Sequence, residues 1–166
     1  MALPYDRKIY EFILEAGIKL DAKSTTVASA AIFCHKFLKK LPPDVSEICP
    51  YTAAAACLFL AGKVEEDFLK VRDITNVCHR ILHPDDPPLE VGEEFWDLRD
   101  GIGQLELLVV RTMCFHLIVH HPHKFLLNYL ATLRGWVDRE KWADDGRIVK
   151  SAWCHAQRPL RLHLLL

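Results

Sequence analysis

Hydrophobic residues recur along most of the chain at intervals of three and four, the spacing that places them on one face of an α-helix. Prolines divide the chain into segments with this period, and no stretch alternates apolar and polar residues as a half-buried strand would. The pattern therefore predicts an all-α fold. We expect helices over about 4–20, 24–40, 51–66, 71–82, 93–117 and 123–137, with Ser24 capping the second.

The third of these segments differs from the others because it is apolar on every face. Residues Ala53–Ala61 include no charged or strongly polar side chain. A helix of this kind is surrounded by other helices, so we expect it at the centre of a bundle. Directly after it the chain becomes charged, in the run Lys63–Asp67.

Composition and charge exclude several classes of protein. The chain has 166 residues, 51% of them hydrophobic, which is enough for an independent core. Twenty-one basic against 22 acidic residues argue against a broad nucleic-acid-binding face and against a polybasic membrane anchor. The apolar run is too short to span a bilayer, and residues 1–7 lack the pattern of a signal peptide. We therefore expect an intracellular protein, nuclear or cytoplasmic, whose six cysteines are buried free thiols.

Two glycine patterns that could indicate nucleotide binding fail on inspection. Gly62-Lys63 lacks both the earlier glycine and the following serine or threonine of a phosphate-binding loop. Gly101 and Gly103 are followed by Glu106 where a dinucleotide fingerprint needs its third glycine, and no predicted strand precedes them. Neither pattern therefore predicts a cofactor.

The histidines are also poor candidates for a metal site. His79 and His83 are four residues apart, but Pro84 ends the helix there, and two surface histidines are the favoured interpretation. The cluster His120–His123 is better explained as a helix-entry loop than as a metal site. Since no nucleophile carries a local signature either, the sequence predicts no enzyme and no metal.

Glu106 attracts attention because it interrupts an apolar stretch between Leu105 and Leu107. Burying an unpaired carboxylate costs several kcal/mol, so this side chain must be exposed or have a partner. Lys63 closes the most apolar helix and faces the same constraint, so the two could pair. On pattern alone a structural salt bridge or two snorkelling side chains is favoured; the alternative is a protein-docking site framed by exposed apolar residues.

Several blocks of sequence resemble the cyclin family, in order from about Tyr5 to Trp153. The cyclin box is resembled by LFLAGKVEED (Leu58–Asp67) and QLELLVVRTMCFHL (Gln104–Leu117). The cyclin Q branch of the family is resembled by EFILEAGIKL, LAGKVEE, RDITNV, FWDLRD and HPHKFLLNYL. The Met-Arg pair of the substrate-docking patch found in many cell-cycle cyclins is absent from Tyr5–Ile9, so docking through that patch is not expected.

The resemblance implies a fold and a division of the chain. Residues 1–119 would form an N-terminal cyclin box of five helices around the third. Residues 120–153 would form the first helices of a second, incomplete box, and 154–166 a divergent tail of a truncated form. Because the second box would lack its partner helices, we expect weak stability and an exposed apolar patch there.

The resemblance also implies a function. The chain would be a regulatory subunit, without catalytic groups, that binds and activates a cyclin-dependent kinase, with cyclin-dependent kinase 10 the expected partner. It would push the kinase αC helix inward, so that the αC glutamate reaches the catalytic lysine. A non-activating decoy and a transcription-factor-like cyclin-box module are the alternatives. The implied kinase-binding residues are Lys63, Val64, Glu106, Val110, Phe115 and Leu117.

Overall fold

The computed structural model describes residues 7–41, 48–136 and 147–157. These residues form helices and no strand, which confirms the all-α prediction. The helices are α1 (Arg7–Lys19), α2 (Ser24–Lys40), α3 (Pro50–Val64), α4 (Val71–Leu82), α5 (Glu93–Thr112), α6 (Pro122–Arg134) and α7 (Arg147–Gln157).

The chain divides into two compact units, residues 1–119 with α1–α5 and residues 120–166 with α6 and α7. In the first unit, α3 contacts each of the other four helices. The expected arrangement of four helices around the third is therefore present. In the second unit, α6 packs against α7, which continues through Gln157, past the point where we expected the tail to begin.

The core of the first unit is built from small residues on α3 and large ones around it. Ala53–Ala56 are buried, and their short side chains let neighbouring helices approach closely. Phe33 and Phe37 on α2 have no exposed surface. Burying a side chain of this size contributes about 1.5–3 kcal/mol, so these few residues account for much of the stability of the unit.

Gly17 shows how closely α1 and α2 pack. A Cβ atom at this position would lie 2.4 Å from Cγ2 of Val27, a distance that van der Waals repulsion forbids. Glycine is therefore required where α1 passes the first turns of α2. This contact helps to fix the start of α2, which bears on the site described below.

The capping of α2 and the end of α5 differ from the prediction. Helix α2 begins at Ser24 as expected, but Lys23 is the N-cap residue and makes no side-chain capping bond, so the expected cap by Ser24 is wrong. Helix α5 ends at Thr112 rather than Leu117, because Cys114 and Phe115 have φ angles of 52° and 60°. A left-handed backbone cannot continue a right-handed helix.

The cysteines are free thiols, but only half of them are buried. The expectation of burial is wrong for Cys49, Cys114 and Cys154, which lie at the start of α3, in the turn after α5 and on α7. Burial raises the pKa of the Cys78 thiol to about 12. Burial, together with a hydrogen bond to the neighbouring Cys34, also raises the pKa of Cys57.

Several large apolar side chains of the second unit are exposed, in keeping with the expected apolar patch. They are Phe125, Leu127, Tyr129, Leu133, Trp136 and Ile148. Among the helices in the described part of the chain, none combines the length and apolar character needed to cross a bilayer.

Candidate functional site

Lys63 and Glu106 form the ion pair that the burial argument suggested. The Lys63 Nζ atom donates to both carboxylate oxygens of Glu106, at 2.7 Å to Oε1 and 2.9 Å to Oε2. The last turn of α3 supplies the lysine and the middle of α5 supplies the glutamate. The Glu106 side chain is only 11% exposed, whereas that of Lys63 is 54% exposed. The pair thus sits at the surface with its negative end inward and its positive end in contact with water.

The aromatic ring of Phe59 holds the lysine from a second side. It lies one helical turn before Lys63, and the ammonium nitrogen is 4.2 Å from the ring centroid. Such a cation–π contact contributes about 0.5–1 kcal/mol at an exposed site. With two of its three protons directed to Glu106, the ammonium group keeps one donor for a partner group.

Apolar residues frame the ion pair on both helices. Val64 directly follows Lys63, and Val110 lies one turn after Glu106 on α5. Both are half-buried and pack against the core, as does Leu117 beyond the end of the helix. Each of these side chains is held against the core on one side and exposes its other side to water.

Phe115 is presented differently from the other predicted residues. Its side chain is 74% exposed, and its backbone has the left-handed φ angle given above. The Phe115 N–H donates to the Val110 carbonyl at 3.0 Å, which ties the turn back onto α5. We call the set Lys63, Val64, Glu106, Val110, Phe115 and Leu117 the Lys63–Glu106 surface.

The loop after α3 is held against the start of α2 by side chains that sequence reasoning did not single out. One oxygen of the Asp67 carboxylate, Oδ2, accepts hydrogen bonds from the Lys23 backbone N–H and from the Thr26 hydroxyl, both at 2.8 Å. The Ser29 hydroxyl donates to Glu65 Oε1 at 2.6 Å. We call Thr26, Ser29, Glu65 and Asp67 the loop clamp.

The loop clamp explains how two buried hydroxyl groups and a backbone N–H at the start of α2 find hydrogen-bond partners. Thr26 and Ser29 are fully buried, and their hydroxyl groups find partners in the acidic loop. Asp67 also takes the role expected of Ser24, because its carboxylate accepts a backbone N–H at the start of α2. The charged run after an apolar helix, together with a Ser/Thr-rich helix start, was the signal available in the sequence.

The structure offers little for a metal or cofactor. Across the residues it describes, no group of three or more His, Cys, Asp or Glu side chains is placed to hold a metal ion. The rings of His79 and His83 lie 4.8 Å apart, and each histidine is near a carboxylate of its own, Glu94 and Asp86 respectively. A cavity between α1, α3, α4 and α5 has a volume of about 110 Å³, small for a cofactor since such sites usually exceed about 300 Å³.

Part of the region expected to lack a substrate-docking patch falls outside the described residues. Tyr5 and Asp6 lie outside the described residues, while Ile9 is buried in the core and Lys8 is exposed. The expectation about this patch therefore stays a prediction.

Known proteins resemble this chain in sequence over most of its length. A family model described as "Cyclin, N-terminal domain" matches residues 4–118. The chain is 31% identical over 146 residues to cyclin pch1 of Schizosaccharomyces pombe, covering 87% of this chain and 40% of that protein. It is 32% identical over 149 residues to human cyclin-K, covering 90% and 24%. With cyclin-T1-4 of Arabidopsis thaliana it is 34% identical over 167 residues, covering 98% and 29%.

These relatives are longer proteins, and the chain spans well under half the length of each. A solved structure supports the fold. It is a chain of the yeast RNA Pol II CTD kinase CTDK-1 complex, which superimposes with a TM-score of 0.67 at 19% identity. The match covers 93% of this chain and 46% of that one.

Proposed function

The chain belongs to the cyclin family, and on that premise we propose that it is a regulatory subunit that binds a cyclin-dependent kinase through the Lys63–Glu106 surface. The observation that carries the proposal is the partly buried ion pair framed by half-buried apolar residues and by the exposed ring of Phe115. The proposed subunit supplies no catalytic group. Its contribution is the free energy of binding to one conformation of its partner.

The geometry of the pair suits a protein-binding surface. A charge that is already fixed by Glu106 and Phe59 loses little side-chain freedom when a partner docks, so less binding energy is lost to ordering. Apolar side chains around a fixed polar group form the type of cluster that supplies most of the binding energy in protein interfaces. Phe115 is the exposed aromatic residue in this cluster.

The proposed mechanism is a shift between two kinase conformations. In an active kinase a lysine of the active site pairs with a glutamate of the αC helix, and the position of αC controls this pairing. A subunit that binds better when αC is turned inward raises the population of the active form by its difference in affinity for the two forms. We propose that the Lys63–Glu106 surface contacts αC in this way.

For the identity of the kinase we propose cyclin-dependent kinase 10. This finer assignment rests on the blocks EFILEAGIKL, RDITNV and FWDLRD, which resemble the cyclin Q branch. The kinase with which cyclin-dependent kinase 10 should be compared is an RNA polymerase II CTD kinase, because the structural neighbour comes from the complex of such a kinase.

The test is to co-express the chain with cyclin-dependent kinase 10 and to measure binding and kinase activity on the purified proteins. The matched control for Lys63→Ala is Lys19→Ala, because Lys19 also forms an ion pair, with Glu15 at 2.8 Å, but on the exposed face of α1. We expect Lys63→Ala to weaken binding about tenfold or more, about 1.4 kcal/mol, and Lys19→Ala to leave it unchanged.

Each outcome has a defined meaning. Failure of the folded chain to bind cyclin-dependent kinase 10 would overturn the identity of the kinase, and failure to bind any cyclin-dependent kinase would overturn the proposed function. Equal binding by Lys63→Ala and the unmodified chain would overturn the assignment of the surface. Binding without stimulation of kinase activity would identify a non-activating subunit instead of an activator.

A further inference from the structure

Phe68 is the most exposed large apolar residue of the first unit, with 98% of its surface in contact with water. Leaving a phenylalanine in water forgoes the stabilisation that burial of its ring would supply. A single exposed apolar side chain is ordinary in a mobile loop, so the structure around Phe68 decides its meaning.

The backbone on both sides of Phe68 is fixed. The Asp67 N–H donates to the Gly62 carbonyl at 2.8 Å, and the Leu69 side chain packs against the core. A Cβ atom at Gly62 would lie 2.9 Å from the Asp67 carbonyl oxygen and 3.3 Å from Leu69, so the loop lies directly on the end of α3. The loop is therefore packed against the helix that carries Lys63.

The loop clamp fixes the same segment from the side of α2. Asp67, the residue directly before Phe68, is bonded to Lys23 and Thr26, while the Lys23 ammonium group donates to the Glu66 carbonyl at 3.1 Å. Several hydrogen bonds thus hold this loop in place, although the aromatic side chain at its centre, Phe68, is exposed to water.

We propose that Phe68 is a further kinase-binding residue, which inserts into an apolar pocket of the same kinase that contacts the Lys63–Glu106 surface. The inference rests on the proposed function and deepens it. The partner is argued from position: the bond between Asp67 and Gly62 keeps the Cα atoms of Phe68 and Lys63 within about 15 Å of each other. An interface that buries about 800 Å² per partner is roughly 30 Å across, so a single partner is large enough to contact both residues.

We expect Phe68 to contribute strongly to kinase binding because its backbone is held rigidly. An aromatic side chain with two rotatable bonds on a fixed backbone loses little conformational entropy on binding. Residues of this type are enriched among those that dominate protein interfaces. In this proposal Thr26 and Ser29 are positioning residues, since they act through the loop and do not touch the partner.

The first test compares Phe68→Ala with Val91→Ala in the complex with cyclin-dependent kinase 10. Val91 is 72% exposed, and it precedes α5, whose first residue Glu93 lies about 20 Å along the helix axis from Glu106. We expect Phe68→Ala to weaken kinase binding about tenfold while its melting temperature stays unchanged, and Phe68→Leu, which keeps a large apolar side chain, to bind more tightly than Phe68→Ala. Val91→Ala should alter neither quantity.

The outcomes separate this inference from the proposed function. Full binding by Phe68→Ala, with loss of binding in Lys63→Ala, overturns the role of Phe68 and leaves the proposed function intact. Absence of binding by the unmodified chain overturns both.

A second test addresses the loop clamp. Thr26→Val removes the hydroxyl that donates to Asp67 while keeping the shape of the side chain, and Thr26→Ser restores the donor. We expect Thr26→Val to weaken binding about threefold in the unmodified chain and to have no effect in the Phe68→Ala background, because coupled residues are not additive. Equal losses in both backgrounds would show that the loop clamp does not act through Phe68.

Discussion

The two units of the molecule use similar residues with different results. Helix α3 lies among four other helices, and Phe33 and Phe37 beside it are fully buried. Helix α6 is also rich in apolar residues, yet among its described side chains Leu130 is buried while Phe125 and Tyr129 are exposed. Hydrophobic residues at helical spacing therefore predict a helix, but the neighbours of that helix decide whether it contributes a core.

The strongest test of this comparison removes one phenylalanine from each unit. Phe37→Ala leaves a cavity in the core of the first unit and should lower the free energy of unfolding by about 3–5 kcal/mol. Phe125→Ala, at a side chain that is 51% exposed, should cost less than about 1 kcal/mol. Urea denaturation followed by circular dichroism measures both. Equal losses would mean that the second unit has a core as tightly packed as the first.

A smaller effect is expected at the ion pair, where replacing Lys63 and replacing Glu106 should lower the free energy of unfolding by different amounts. Lys63→Met leaves the nearly buried Glu106 carboxylate without its counter-ion and should destabilise the first unit by about 1–2 kcal/mol. Glu106→Gln leaves a lysine that can turn into water, and should cost less than about 1 kcal/mol. Thermal unfolding of the two variants measures the difference. A larger loss for Glu106→Gln would show that the lysine is the more buried partner.

The loop clamp should contribute about 1 kcal/mol for each hydroxyl group. Ser29→Ala deletes the donor to Glu65 at a fully buried position, and the carboxylate must find water or another donor. The exposed Ser24→Ala at the start of the same helix, α2, serves as a control, with an expected change within about 0.5 kcal/mol. An unchanged free energy of unfolding in Ser29→Ala would contradict the role given to this bond.

The last comparison concerns the reactivity of cysteines in the two units and requires no substitution. Cys78 keeps its proton at pH 8 because burial raises its pKa to about 12, so alkylation there should wait for unfolding of the first unit. Cys154 on α7 is exposed and should react in the folded protein. Mass spectrometry after iodoacetamide treatment reports both, and fast labelling of Cys78 would mean that the first unit opens readily.

Cys49 provides an internal reference for that experiment. Burial alone would raise its pKa, but hydrogen bonds from Thr52 and Tyr51 outweigh burial and lower the pKa below its ordinary value. Cys49 should therefore be labelled at a lower pH than a cysteine thiol with the ordinary pKa. For Cys78 the shift has the opposite sign, so its contribution to stability is present below about pH 9 and is lost as the pH rises towards 12.

Much of the fold could be predicted because local rules decided it. The bounds of α2 and α4 agree with the sequence pattern, and the pairing of Lys63 with Glu106 followed from the cost of an unpaired buried carboxylate. These features depend on periodicity and on desolvation, which short segments of sequence reveal.

The remainder depended on which segments meet in space. The end of α5 was predicted five residues too far along, because apolar residues continue into a turn that only the backbone angles of Cys114 and Phe115 reveal. The loop clamp joins residues that are 36 and 41 positions apart, and nothing local identifies Asp67 as the partner of Thr26. The roles of the Lys63–Glu106 surface in kinase binding stay predictions.

The turn at Phe115 places folding and recognition in competition. A phenylalanine in the left-handed region costs about 1–3 kcal/mol relative to glycine, and a side chain that is 74% exposed recovers little of this within the chain. Replacement by glycine would relieve the strain but would also delete the aromatic ring of the proposed kinase-binding surface. Selection of variants for resistance to heat alone would thus favour loss of a residue that belongs to the proposed kinase-binding surface.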